Sequence, residues 1–482
     1  MLDHRINRRD LLRLGGLTSL GVSAAGRSVA SPRSEKSGFG RAKRCILLYL
    51  WGSPSQLETF DPKPDAPAEV RGEFQSIPTA IPGIRIGEIL PRLSRVLDRI
   101  TILRTLTHPY PIHGTTFAMT AAPTTDLQTE GGPPRDPRHW PYVGSIVDYF
   151  AERADPKPPA VPRNFGLPFQ LGSRRRIKSG PFGGFLGGAY DTIWSEFRAK
   201  GTREVLRDSG DPDIPTMIVA DPYLGIRPSD RFESGASEDF LNPARLNGRL
   251  SLLDQLGSSN RLLDRQACEV AFERHQELAG SVLVSGKLRT ALDVQSESIK
   301  LRERYGMTLF GQSCLAARRL LEAGSKFVTV GWDEYGVVNT GWDTHVHQRT
   351  RLGAELGPGF DHAVASLIED LDARGMLDDT AIVAMSEHGR TPRMQNVTGG
   401  GRDHWSRAYS TMFAGAAFAR GRVVGRTDRI AGDVSENPFS PKDVIATLLH
   451  MMGIDPEAEI HDRFGRPYRV GGSGRIRSEL IQ

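Results

Sequence analysis

Between Trp342 and Trp405 the chain gathers the side chains that bind metal ions. Gly341-Trp342-Asp343-Thr344-His345-Val346-His347 comes first, then Ser386-Glu387-His388-Gly389-Arg390-Thr391-Pro392, then Arg402-Asp403-His404-Trp405. Five of the twelve histidines fall from His345 to His404, each near a carboxylate or a small loop residue. Imidazole nitrogens and carboxylate oxygens are the ligands of zinc, manganese and iron, and of two-metal hydrolytic centres. Spacing alone puts Asp343, His345 and His347 on one face if that segment is extended. Glu387 and His388 can share an ion only on a turn, since neighbours on a regular strand face opposite ways. A glycine run before Arg402 lets Asp403 and His404 approach closely. Arg390 offers a guanidinium for an anionic oxygen.

The N-terminal half supplies further candidates. Ser55, Glu58 and Asp61 follow an apolar run and could add an oxygen ligand. His108, His113, Thr115 and Thr116 precede or open a predicted helix, and a hydroxyl there could act as nucleophile once a metal lowers its pKa. The other nucleophile frames are missing: no Gly-x-Ser-x-Gly elbow and no Walker loop occurs.

These residues need a scaffold, and the pattern is that of an α/β protein. Cys45 to Trp51 is a continuous apolar run, as in a parallel strand buried on both faces. Ile100–Leu103, Lys326–Val330 and Thr380–Met385 read as further strands. Helices are predicted around 89–97, over 115–121, 142–151, 298–323, 352–374 and 443–452. Ser386 to Gly389 thus sits at a strand's carboxyl end, where parallel sheets collect function. A helical and irregular insertion is expected at about 172–325, between the two halves of one domain running from 44 to 482.

The first thirty residues read as a leader. Asn7-Arg8-Arg9-Asp10-Leu11-Leu12 is a twin-arginine pattern, a Gly/Ala-rich run follows, and Ser28-Val29-Ala30 offers a cleavage site; residues 31–43 form a linker. The run is too short and interrupted to span a bilayer, so a protein exported to the periplasm or beyond, with no transmembrane anchor, is expected. The leader takes five arginines and two aspartates out of 62 basic and 57 acidic residues, leaving a net charge of +2. So small an excess argues against a nucleic-acid partner. Cys45, Cys268 and Cys314 are too few and too scattered for a disulfide framework and read as packing residues, a Cys268–Cys314 bridge being the alternative.

Ser53-Pro-Ser-Gln-Leu-Glu-Thr-Phe-Asp-Pro-Lys-Pro64, Trp342-Asp-Thr-His345, Glu387-x-Gly-Arg-Thr-Pro392 and Arg402-Asp-His-Trp405 resemble the exported bacterial proteins, abundant in planctomycetes, grouped as domain-of-unknown-function family 1501. The run from Leu367 to Gly389 and the helix Asp443–Gly453 resemble the late core of sulfatases and the alkaline phosphatase superfamily. The resemblance implies an alkaline phosphatase-like α/β/α sandwich with a mostly parallel central sheet. It implies one metal position at Asp343 and His404 with either His345 or His347, and a second at Glu387 and His388. The implied ions are one or two divalent metals, zinc or manganese first, magnesium or calcium next. It departs from the superfamily where Trp51-Gly52-Ser53 replaces a first-strand aspartate, and no Cys-x-Pro-x-Arg supports formylglycine chemistry. Two functions follow as expectations: a metal-dependent phosphate or sulfate ester hydrolase using Thr115, Thr116 or water with His113 and Arg390, or a non-catalytic metal-containing envelope protein that binds an anionic ligand such as an acidic polysaccharide.

Overall fold

A computed structural model describes residues 37–122, 133–211, 213–234, 274, 278, 286–336 and 340–482. Residues 38–482 form one compact unit. The leader expected over 1–30 lies outside the described residues, as does Cys268. Cys45 and Cys314 are buried free thiols.

The central sheet has nine strands, labelled here in chain order: β1 (Arg44–Leu50), β2 (Ile100–Leu106), β3 (Asn164–Leu167), β4 (Ile193–Phe197), β5 (Phe232–Ser234), β6 (Phe327–Trp332), β7 (Thr380–Met385), β8 (Tyr409–Ala414) and β9 (Arg422–Val424). Their spatial order is β9-β2-β8-β7-β1-β6-β3-β4-β5. The contiguous stretch β7-β1-β6-β3-β4 is wholly parallel, while β8 runs antiparallel to both its neighbours. β1 is therefore a central strand, which explains its unbroken apolar run. Ile46, Leu48 and Leu50 face one core, with helices α2 (Leu309–Ala323) and α3 (Gly357–Ala373); Cys45, Leu47 and Tyr49 face the other, with α1 (Val143–Ala154) and α4 (Pro441–Met451). The result is a three-layer α/β/α sandwich, as expected.

Local chemistry sets the helix ends. Ser440 and Asp443 form a reciprocal capping box at the start of α4, with Pro441 in its first turn. Thr308 caps α2 by accepting the Gly311 N–H at 3.1 Å, and Gly324 ends it at φ 117°. The helix predicted from 352 starts earlier, as a turn over Gln348–Arg351, passes through a π-helical turn at Leu352–Leu356 and continues as α3. The helix expected over 115–121 is shorter, Thr115–Met119.

Two boundaries move. Residues 172–325 are not all an excursion, because β4, β5 and α2 belong to the sheet and its apolar core. The linker ends sooner than residue 43: Gly40 and Ala42 donate backbone hydrogen bonds to His450 and Met451 at the end of α4. Among the described residues no helix is long and apolar enough to cross a membrane.

Candidate functional site

The loops leaving the carboxyl ends of β6, β1 and β7 meet at one point, because these three parallel strands are neighbours. Trp51, just past β1, receives the Trp342 N–H at 2.7 Å on its carbonyl. That bond lays the Asp343 loop across the end of the sheet. Arg351 secures it from the adjoining helix, donating to the carbonyls of Asp343 (3.0 Å) and Gly341. After β7 the chain turns at Ser386, and Gly389–Arg390 pairs with His404–Trp405 as a short antiparallel ribbon. The ribbon brings His404 beside His388, with ring centroids 4.4 Å apart.

Asp343 Oδ1, His345 Nε2 and His404 Nε2 form a nearly equilateral triangle. Its sides are 3.1 Å from Asp343 to His345, 3.2 Å from Asp343 to His404, and 3.1 Å between the two imidazole nitrogens. A tetrahedral ion with bonds of ~2.05 Å has ligand–ligand edges of about 3.3 Å, so the triangle matches one face of a zinc-like coordination sphere. His113, His388 and His404 make a second set of donor atoms, all within 4.8 Å of one another. In His388, Nδ1 lies 2.9 Å from the Gly389 carbonyl and must donate to it. Its buried Nε2 is then an unprotonated lone pair with no hydrogen-bond partner. Burial outweighs the attraction of Glu387 and holds the His388 pKa well below the ordinary histidine value. A neutral imidazole with an orphaned buried nitrogen is the state in which histidine binds metals. The residues fit a divalent ion.

The carboxylates are unequal. Burial would raise the Asp343 pKa, but Arg390, His113 and His345 together hold it well below the usual range. Glu387 is fully enclosed: Oε2 accepts from Tyr49 Oη at 2.9 Å, and Oε1 accepts from the Gly52 N–H at 2.9 Å and faces His113 Nδ1 at 2.8 Å. His113 bridges the two acids, with Nε2 3.2 Å from Asp343 Oδ2. Burial pulls its pKa down, yet Asp343 and Glu387 outweigh that and lift it to about 10. The Trp51 indole stacks on the His113 ring, centroids 4.5 Å apart, and fixes its plane.

The structure thus brings Asp343, His345, His388, His404, Glu387 and His113 together. His347 is elsewhere. Its φ of 52° breaks the extended geometry that would have aligned it with Asp343, and its Nε2 lies 3.4 Å from Asp208. Arg390 is wholly buried and donates to the carbonyls of Ser53, Gly52, Trp342 and Arg402 and to Asp343, so it faces inward and not toward an ester. Thr115 Oγ1 donates to the Ser179 carbonyl, and Thr116 is buried in the same short helix. Glu58 and Asp61 are taken up by ion pairs, Glu58 with Arg402 at 2.6 Å and Asp61 with Lys63 at 3.0 Å and Arg104 at 3.3 Å. Tyr49, Trp51 and Gly52 were not among the residues the sequence singled out. The signals were a hydroxyl-bearing residue and a glycine at the end of an otherwise apolar strand, and the place of Trp51-Gly52 where the resembled superfamily has its first-strand aspartate.

Beside His113 a cleft of about 340 Å³ opens to solvent, lined by Trp51, Thr115, Arg175, Arg176, Lys178 and Glu334, among others. Lys178 pairs with Asp333 at 2.8 Å and lies over the Trp51 ring.

A family described as "Protein of unknown function (DUF1501)" matches residues 42–481. No curated protein matches the chain. Among solved structures, the chain is similar to Ps i-CgsB in complex with k-i-k-neocarrahexaose (11% identity, TM-score 0.40, covering 86% of this chain and 72% of that one). It is also similar to the PsFucS1 sulfatase from Pseudoalteromonas sp. (10%, 0.40, 92% and 76%) and to the phosphonate monoester hydrolase SpPMH from Silicibacter pomeroyi (12%, 0.37, 91% and 76%).

Proposed function

The chain belongs to the DUF1501 family, and from its site we propose an exported metal-dependent hydrolase of phosphate or sulfate esters. The observation that carries this reading is the triangle of Asp343 Oδ1, His345 Nε2 and His404 Nε2, backed by the orphaned Nε2 of His388. Three protein ligands with an open side are the pattern of catalytic rather than structural centres. A divalent ion bound there would supply Lewis acidity and lower the pKa of a coordinated water. The chain's own part is to hold and orient. Arg390 keeps Asp343 ionised from behind, the ribbon Gly389–Arg390/His404–Trp405 sets His404, and Trp51 fixes the plane of His113. His113, held between two acids, is placed to carry a proton at the mouth of the cleft. Arg175 and Arg176 at the rim favour an anionic substrate, the class that includes acidic polysaccharide esters.

The test is direct. Chelator-stripped protein is titrated with zinc and with manganese, then offered an aryl phosphate, a phosphodiester and an aryl sulfate. Turnover of at least one ester, lost in His404→Ala, is expected. Uptake of less than about 0.2 ion per chain would remove the basis of the reading. A second reading, a metal-containing binding protein of the cell envelope, is favoured by the engagement of Thr115 with Ser179 and of Arg390 with buried carbonyls. Metal uptake with no turnover on the whole panel would select it.

A further inference from the structure

The ring nitrogens around the triangle fall into two sets. Inward, the Nε2 atoms of His345 and His404 are triangle corners, His113 Nε2 faces Asp343 Oδ2, and His388 Nε2 is an orphan. Outward, His113 Nδ1 meets Glu387 Oε1 at 2.8 Å, His345 Nδ1 meets Asp403 Oδ1 at 2.8 Å, and His388 Nδ1 meets the Gly389 carbonyl at 2.9 Å. For His345 and His388 the outward partner is an acceptor, so Nδ1 carries the hydrogen and Nε2 can present its lone pair to the centre, whereas His113, held between Glu387 and Asp343, donates from both ring nitrogens. This is how an outer acceptor fixes the tautomer and ring plane of a metal-binding histidine.

Glu387 is placed for the outer role and not for coordination. Tyr49 Oη and the Gly52 N–H, both buried, and the partly buried His113 already approach its two oxygens. Asp403 is tied in the same way on its own side, where Gln395 Nε2 donates to Oδ2 while Oδ1 faces His345. Both candidate ligand sets also run through His404, and its Nε2 is already a corner of the triangle.

We infer that Glu387 and Asp403 are positioning residues, the acceptors that orient His113 and His345, and that the centre holds a single ion with Glu387 outside its coordination sphere. The inference rests on the metal-centre reading above and departs from a second metal position at Glu387 and His388.

The experiment uses the full chain, stripped with chelator and titrated with zinc, and with cobalt for its visible spectrum. Wild type is expected to bind one ion per chain. Asp403→Ala should weaken zinc binding about 10- to 100-fold with the stoichiometry still one. Asp403→Asn, whose amide oxygen still accepts the His345 N–H, should recover most of that loss. Asp403 is half exposed (46%), so these variants test the proposal even if changes at buried Glu387 impair folding. Glu387→Gln should leave the cobalt band positions and intensities unchanged. Two ions in the wild type, one of them lost in Glu387→Gln, would overturn the proposal while leaving the metal reading intact. So would an Asp403→Asn variant as weak as Asp403→Ala, or a cobalt spectrum altered by Glu387→Gln. A wild type that binds no ion removes both.

Discussion

Gly52 lies directly beneath Asp343: a Cβ at residue 52 would stand 2.6 Å from Asp343 Cβ, closer than real carbons approach. Its φ of 90° is also one that side chains rarely adopt. Gly52→Ala should therefore cost about 1–3 kcal/mol through strain and overpacking and displace Asp343 from its triangle. Chemical denaturation and a zinc titration check this together. A variant equal to wild type in both would show that the contact is not tight.

The two histidines of the Trp342-Asp-Thr-His-Val-His segment should separate cleanly. His345→Ala removes a triangle corner and should weaken zinc binding by more than the 10- to 100-fold typical of an outer partner, roughly 100-fold or beyond. His347→Ala should bind zinc as wild type does, since His347 faces Asp208. Equal losses in the two variants would contradict the placement.

Arg402 and Glu58 form a fully buried ion pair, 2.6 Å between Nη2 and Oε1, and Arg402 also donates to the carbonyls of Thr391, Pro392 and Val70. Arg402→Ala strands the Glu58 charge and should cost about 3–5 kcal/mol in urea denaturation. A loss under about 1 kcal/mol would mean that water or another cation reaches Glu58.

His108 gives a pH dependence. Its Nε2 donates to the Glu387 carbonyl at 2.7 Å, and its Nδ1 accepts the Tyr110 N–H at 3.2 Å, so the neutral ring satisfies both. Burial lowers its pKa to about 4, against a modest pull upward from Glu387. The unfolded chain then takes up the proton first as pH falls. His108's share of the stability is full above about pH 6.5 and is lost between there and pH 4; by pH 5 the loss is about 2 kcal/mol. In metal-free protein, His108→Asn should lose less stability than wild type between pH 7 and pH 5. Parallel losses would assign the dependence to other groups.

The sequence made the scaffold and half the centre readable. β1 and β7 announce themselves as unbroken apolar runs because both are central and buried on two faces. Asp343, His388 and His404 stand out because five of the twelve histidines crowd between 345 and 404, in segments that also carry acids. The choice between His345 and His347 depended on backbone shape: i, i+2 spacing has meaning on a strand, and this segment is a loop with a left-handed residue at 347. Arg390 looked like an anion-binding group because arginines are usually solvated, whereas here four carbonyls and Asp343 enclose it. Tyr49 and Gly52 stayed hidden because their partner, Glu387, is 335 or more positions away.

The π-helical turn at Leu352–Leu356 gives the chain a register constraint. Such a turn accommodates one residue more than an α-helix would over the same length. Arg351, which clasps the carbonyls of Asp343 and Gly341, lies immediately before it. Deleting a single residue from that turn would restore regular winding over the same length and leave the segments on either side in place. Arg351 would then keep its hold on the Asp343 loop while the α3 core stayed packed. The extra residue is thus absorbed within the helix, so that Arg351 on one side and α3 on the other keep their separate contacts.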